Sequence, residues 1–203
     1  MSTESRLANK NYIEGELEKI NRLGIDQLIE WLDAHGAYSD PASAKYHSNF
    51  PGGWAEHTVK VLKTAHKLAD TLASDIDRDS LTLCCIAHDL CKLGTYETYV
   101  RNVQVQPRVW DHVTCYKYNE AAFNDILLNH GVQSAWMLSE ILPISGEEFM
   151  AIANHMGGSD GEKQELAFRA FHKSKIACIL HLADIWATSQ LEVTYHELKI
   201  PWD

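Results

Sequence analysis

Apolar residues return at intervals of three and four through most of this chain, and that spacing constrains its fold more than any other feature. Ile13, Leu17 and Ile20 share one face of an opening helix, and Leu28, Ile29 and Leu32 carry the pattern on to Gly36. The stretch "WAEHTVKVLKTAHKLADTLA", Trp54 to about Ala73, reads as a long helix with Leu62, Ala65, Ala69 and Leu72 on its apolar side and His57 in its first turn. A further helix is expected from about Ser80 to Leu93, with Gly94 placed to cap it. Ser145 followed by Glu148 is a capping-box pattern for another helix, and Gly157 and Gly158 mark its other end. The last strong helix, about Lys175 to Glu192, carries His181 and Asp184 one turn apart.

Two stretches break the period. "AYSDPASAKYHSNFPGG" reads as a loop, with Pro41, Pro51, Gly52 and Gly53 opposing any regular element. Between Tyr96 and Tyr118, "YVRNVQVQPRVW" alternates and contains a proline, which predicts a short hairpin or irregular excursion before helices resume near Ala121. The expected fold class is therefore all-α, one helical-bundle domain over residues 1–203 with about six to eight helices. Its N-terminal helices lie at about 4–35. The two long loops are where substrate contacts can be added to a rigid scaffold.

A chain of 203 residues with 45% hydrophobic content can bury one substantial core. Its formal net charge of −10 argues against a broad nucleic-acid surface, for which Lys63, Arg101, Arg108 and Lys117 are the only candidate groove residues. The apolar run "IACILHLADIWA" is too short and too interrupted to span a bilayer. "MSTESRLANKNYIEGELEK" lacks an apolar signal segment, so a cytoplasmic protein without membrane association is expected. The five cysteines, Cys84, Cys85, Cys91, Cys115 and Cys178, form neither a disulfide framework nor paired CxxC motifs, and Cys84 and Cys85 read as small core residues.

The segment "CCIAHDLCKLG" raises a sharper question, because His88 and Asp89 end an apolar run where their desolvation is costly unless something pairs with them. A metal ion would do so. Other His and Asp residues also interrupt apolar faces or sit at helix ends: His57, His130 in "LLNHGVQSAWML", His155 in "AIANHMGG" and Asp184 in "HLADIWAT". Neutral imidazoles and carboxylates suit borderline divalent ions such as Mn²⁺, Fe²⁺, Co²⁺, Ni²⁺ or Zn²⁺. Neighbours on a helix point about 100° apart, so His88 and Asp89 can share an ion only against the helix wall, with other helices closing the shell.

In this order the residues resemble the HD-domain metal-dependent phosphohydrolase superfamily. "HSNFPGGWAEHTVKV" is similar to the family's opening segment, "AHDLCKLG" to its His-Asp signature with a trailing lysine, and "HLADIWATSQLE" to its closing helix. The likeness covers about residues 46–192, and extends to small phage and bacterial HD proteins and to the HD domain of 3′-to-5′ exoribonucleases. It implies one or two divalent ions (Mn, Fe, Co, Ni, Zn or Mg), the first held by His57, His88, Asp89 and Asp184. Asp89 would bridge to a second ion held by His130 and His155. Asp89 and Lys92 become the expected catalytic residues, with Lys92 reaching a phosphate oxygen as a point charge.

The implied reaction is attack of a metal-bound hydroxide on a phosphate ester or anhydride of a small phosphorylated substrate, a nucleotide foremost. A phosphodiesterase acting on a cyclic dinucleotide or short oligonucleotide is the alternative. A diiron oxygenase similar to myo-inositol oxygenase and a non-catalytic metal-binding module stand behind it. Several neighbours carry two readings. His181 either buttresses Asp184 or packs in the core, and His47 precedes the glycine pair as in some relatives. His66 is expected on the surface, and Trp110, Tyr116 and Tyr118 either stack on a base or pack the excursion. Cys91 stands where many relatives have glycine, Trp54 where leucine is usual and Met156 where some have a second histidine. The opening helices either mediate a homodimer or cap the core.

Overall fold

The computed structural model describes residues 2–119, 128–158 and 164–192. Helices α1 (Thr3–Leu17) and α2 (Ile25–Ala34) open the chain, followed by α3 (Gly53–Leu72) and α4 (Arg78–Ala87). A 3-10 turn at Leu90–Lys92 leads into an antiparallel hairpin, β1 (Tyr96–Gln106) and β2 (Val109–Tyr118). Then come α5 (His130–Ile141), α6 (Gly146–Ala153), α7 (Gln164–Lys173) and α8 (Lys175–Trp186), the last continued by a π turn at Ala187–Leu191. Four helices start where a side chain satisfies a free amide: Ser2, Asp77, Asn129 and Ser174 each accept from a first-turn N–H. Ser145 and Glu148 form the expected reciprocal capping box on α6.

Helix α3 is the hub, packed against α1, α4 and α8, while α6 bridges α5 to α8. One contiguous apolar cluster runs through all of them, from Ile13, Leu17, Leu28 and Leu32 through Trp54, Leu62 and Ile86 to Leu180 and Ala187. The apolar faces of α1 and α2 are thus spent on the core, the capping role. Among the described residues no helix is long and apolar enough to cross a membrane.

Three boundaries differ from the sequence expectation. The helix expected from Ser80 to Leu93 stops at Ala87, because Asp89 leaves the helical region (φ −116°, ψ 24°) and a separate 3-10 turn follows. The indole N–H of Trp54 donates to the Asp89 carbonyl at 2.9 Å, a tertiary bond that competes with helix continuation. Gly94, at φ 71°, therefore ends the 3-10 turn instead of α4. The last helix ends at Trp186 and widens into the π turn before Glu192. The excursion is a long, regular hairpin, paired from Tyr96↔Tyr118 to Gln106↔Val109 with one bulge near Gln104. Its proline falls in the tip, where no ladder bond is lost. The helix expected near Ala121 lies outside the described residues.

The loop before α3 explains the glycine pair. Gly52 adopts φ 80°, and a Cβ on Gly53 would fall 1.9 Å from the Ser48 carbonyl oxygen. That close crossing lays the loop over the start of α3 and brings His47 onto His57, with ring centroids 4.9 Å apart.

Candidate metal centre

The six predicted ligands converge at one place between α3, α4, α5, α6 and α8. His57 comes from the first turns of α3, His88 from the end of α4, Asp89 from the break that follows, and His130 from the first residue of α5. His155 lies just past α6 and Asp184 near the end of α8. His57, His88, Asp89 and His155 are no more than 1% exposed and Asp184 is 9% exposed.

The donor atoms form two sets that meet at one carboxylate. On one side, His57 Nε2 lies 3.0 Å from His88 Nε2, 3.3 Å from Asp184 Oδ1 and 3.5 Å from Asp89 Oδ2. His88 Nε2 is 3.4 Å from the same Asp89 Oδ2. On the other side, Asp89 Oδ1 faces His130 Nε2 at 2.5 Å and His155 Nε2 at 3.6 Å. The two oxygens of Asp89 thus address different histidine pairs. Further combinations of the same groups, His88 with His155 and Asp184 and Asp89 with His130 and His155, each bring three possible ligand atoms within 4.8 Å of one another.

Backbone and carboxylate acceptors fix which nitrogens are free. His88 donates from Nδ1 to the Cys85 carbonyl at 2.8 Å, and His155 from Nδ1 to the Ile152 carbonyl at 2.7 Å. Each therefore presents an Nε2 lone pair to the centre. His57 donates from Nδ1 to Glu192 Oε1 at 2.6 Å, the carboxylate–histidine pairing that orients a metal ligand. Two imidazole lone pairs 3.0 Å apart, those of His57 and His88, repel unless a proton or a cation lies between them. The Nε2 of His155 is buried with no hydrogen-bond partner. These residues fit a divalent ion by donor type, by tautomer and by unmet valence.

Charge points the same way, since three buried carboxylates, Asp89, Asp184 and Glu192, gather here, while the Lys92 ammonium pairs with Asp89 and the Lys60 ammonium near Glu192 is held by Glu56. Burial opposes a charge on His57, yet Glu192 and Asp184 outweigh it and push the imidazole up to about 10. Burial likewise opposes ionisation of Asp89, but Lys92, His88 and His130 hold its carboxyl well below the usual range. Burial, with His57 and Lys92 nearby, pulls His47 down to about 4 and leaves it a neutral imidazole. A field that retains a proton on His57 also attracts a cation, whose ligation would release that proton.

Lys92 is not a free cation. Its Nζ is held by Asp89 Oδ2 at 2.6 Å, while its side chain also borders a cavity of about 550 Å³ shared with Tyr46, His47, His155, Asp184 and Thr188. Met156 and His181 line the same cavity. His181 touches neither carboxylate of the centre: it donates from Nδ1 to the His155 carbonyl at 2.6 Å and stacks on Phe171. His66 is half-buried, against expectation, because Nε2 bonds the Thr82 hydroxyl at 2.9 Å. Tyr116 is buried at the base of the hairpin, whereas Trp110 is exposed toward its tip. Of the candidate groove residues, Lys63 lies over the Tyr12 ring and Lys117 pairs with Glu97 on the hairpin.

Two contributors escaped the sequence reading. Glu192 closes the segment "HLADIWATSQLE", and only its position after the π turn reveals its contact with His57. Trp54 stood out only as a departure from leucine, yet its indole holds the backbone of Asp89.

Comparison with known proteins places this geometry. A dihydroneopterin 2′,3′-cyclic phosphate phosphodiesterase from Methanocaldococcus jannaschii is 37% identical over 60 residues. That alignment covers 28% of this chain and 24% of the archaeal protein, so the chain spans about a quarter of that relative's length. No solved structure matches. The family model described as HD domain matches residues 54–188, from the tryptophan that holds Asp89 to the π turn after Asp184, and the chain belongs to the HD domain family.

Proposed function

We propose that this protein is a metal-dependent phosphohydrolase that cleaves a phosphate ester of a small, nucleotide-sized molecule. The observation that carries the reading is the split of Asp89 between two histidine sets, because a carboxylate shared in this way suits a pair of divalent ions. Bound there, such ions would lower the pKa of a water and screen phosphate charge. The N/O donor set favours Mn²⁺, Fe²⁺, Co²⁺, Ni²⁺ or Zn²⁺ over Mg²⁺, which prefers oxygen. His57, His88, Asp89 and Asp184 are the ligands of one ion, and Asp89, His130 and His155 those of the other.

The remaining groups orient and neutralise. Glu192 aims His57, the Cys85 and Ile152 carbonyls set His88 and His155, and Trp54 anchors Asp89. Lys92 screens Asp89 and offers its remaining N–H donors toward the cavity, where a phosphate oxygen would sit. A cavity of about 550 Å³ accommodates a mononucleotide-sized ligand more readily than a long polymer.

A cyclic phosphodiester is the second reading, favoured by the activity named for the archaeal relative. Product analysis separates the two. Purified protein with Mn²⁺ is incubated with nucleoside mono- and triphosphates, 2′,3′-cyclic nucleotides, a cyclic dinucleotide and a short oligonucleotide, alongside Asp89→Ala. Products made by wild type alone support the proposal and identify the bond cut. Oxygen consumption with iron, and no hydrolysis of any panel member, would replace it with redox chemistry.

A further inference from the structure

The imidazole of His57 has two faces, and only its Nε2 is used by the centre described above. On the Nδ1 side, Glu192 spends one carboxylate oxygen on His57 and leaves Oε2 buried with no hydrogen-bond partner. His47 packs against the same ring at a tilt of 38°, and its Nε2 is also buried and unpartnered. Possible ligand atoms of His47, His57 and Glu192 lie within 4.8 Å of one another. Among the described residues six buried side-chain polar atoms lack a partner, and these two belong to residues packed on the same histidine.

An unpaired buried carboxylate oxygen is costly to keep. The obvious protein remedies are absent from the contacts made here. His47 and Glu192 do not hydrogen-bond to each other, and the nearby Lys60 ammonium is held by Glu56 at 2.5 Å. The chain nevertheless works to bring the pair together. The Gly52–Gly53 crossing and a Ser43 hydroxyl bond to the His47 carbonyl at 2.7 Å fix one partner, and the π turn after α8 delivers the other. One imidazole nitrogen and one carboxylate oxygen with unmet valence, opening on the substrate cavity through His47, form a donor pair for a divalent cation.

We propose that His47 and Glu192 hold an additional divalent cation on the Nδ1 side of His57, separate from the ions of the Asp89 centre. Two protein ligands leave coordination positions for water or for an oxygen of a bound phosphate. The ion would sit at the cavity edge lined by Tyr46 and His47.

Cobalt titration of the full chain tests this, read by visible absorption and by elemental analysis after desalting. Wild type is expected to retain one more Co²⁺ per chain than His47→Gln or Glu192→Gln, and the double variant to lose no more than either single one. Equal stoichiometry in wild type and His47→Gln overturns the proposal. His47→Gln decides the matter even where Glu192→Gln fails to fold, since Glu192 also positions His57. The count does not depend on hydrolysis. A missing equivalent without any phosphatase activity would sink the proposed function alone, and hydrolysis with an unchanged count would sink this inference alone.

Discussion

Two clusters of buried charge lie within this domain, and they are built on opposite principles. Glu148, fully buried on α6, accepts from Arg22 and the Ser80 hydroxyl on one oxygen, each at 2.7 Å, and from the Ser145 amide on the other at 2.7 Å. Every lone pair that matters is met by a donor from the protein itself, and the result ties the α1–α2 connection, α4 and α6 together. The histidine–aspartate centre does the reverse. Its donor atoms crowd one another: the Nε2 atoms of His57 and His88 meet at 3.0 Å, where a proton or a cation must lie between them, and the Nε2 of His155 has no partner. Buried polarity completed internally is a structural joint, whereas clustered imidazole and carboxylate atoms left incomplete could hold a cation.

Substitution should separate the two most sharply. Asp89→Asn removes the shared carboxylate and is expected to cost on the order of 10³-fold in turnover, with loss of the metal bound at that centre, while the metal-free melting temperature holds or rises. Turnover, metal content and thermal melts of the same preparations check this. Unfolding of Asp89→Asn in the absence of metal would instead make the centre a structural joint like the other. The mirror variant, Glu148→Ala, strands Arg22 and Ser80 and should destabilise by about 3 kcal/mol in denaturant titration, with metal stoichiometry unchanged.

The same contrast appears in pH. Glu148 is buried, which opposes ionisation, but its bonds to Ser145, Ser80 and Arg22 hold its carboxyl below the ordinary 4.5. A depressed folded-state value means stability present above the unfolded value and lost as pH falls through the folded one. The acid limb of the stability curve should therefore begin near pH 4.5 and flatten in Glu148→Gln, measured by urea titration across pH. Added metal acts only on the other cluster. Mn²⁺ or Co²⁺ at a hundredfold its Kd for the Asp89 centre should stabilise wild type by about 2.7 kcal/mol, and Asp89→Asn should lose that increment.

How far the sequence foretold this follows from the range of the interactions involved. His57, His88, Asp89, His130, His155 and Asp184 were legible because each interrupts an apolar pattern or marks a helix end, and the family resemblance supplied their order. The helix boundary at Ala87 was not, because local propensity favours continuation and the competing bond comes from Trp54, 35 residues earlier. Glu192 was hidden for a related reason: regular 3.6-residue spacing from Asp184 would aim it elsewhere, and the π turn changes that phase. The hairpin's alternation was visible, but its regular length depends on cross-strand pairing that a single strand's pattern does not display.

Trp54 provides the finest test of the comparison, because it serves both clusters' logics at once. It is a fully buried core side chain and also the donor that keeps Asp89 out of the helix. Trp54→Phe retains much of the apolar volume and deletes the N–H, so the Asp89 carbonyl keeps only the 3-10 bond from the Lys92 amide at 3.1 Å, at a cost of about 1 kcal/mol in stability. If that bond matters only to packing, metal affinity should follow wild type. We expect it to fall by about tenfold, the scale for groups that orient metal ligands, because without the indole anchor residues 88–90 can relax toward continuous helix and turn the Asp89 carboxylate off the shared position. Isothermal titration with Mn²⁺ reads the affinity and a denaturant melt reads the stability. A variant that loses the second but not the first would assign Asp89's placement to its own ion and hydrogen-bond partners, not to the tryptophan.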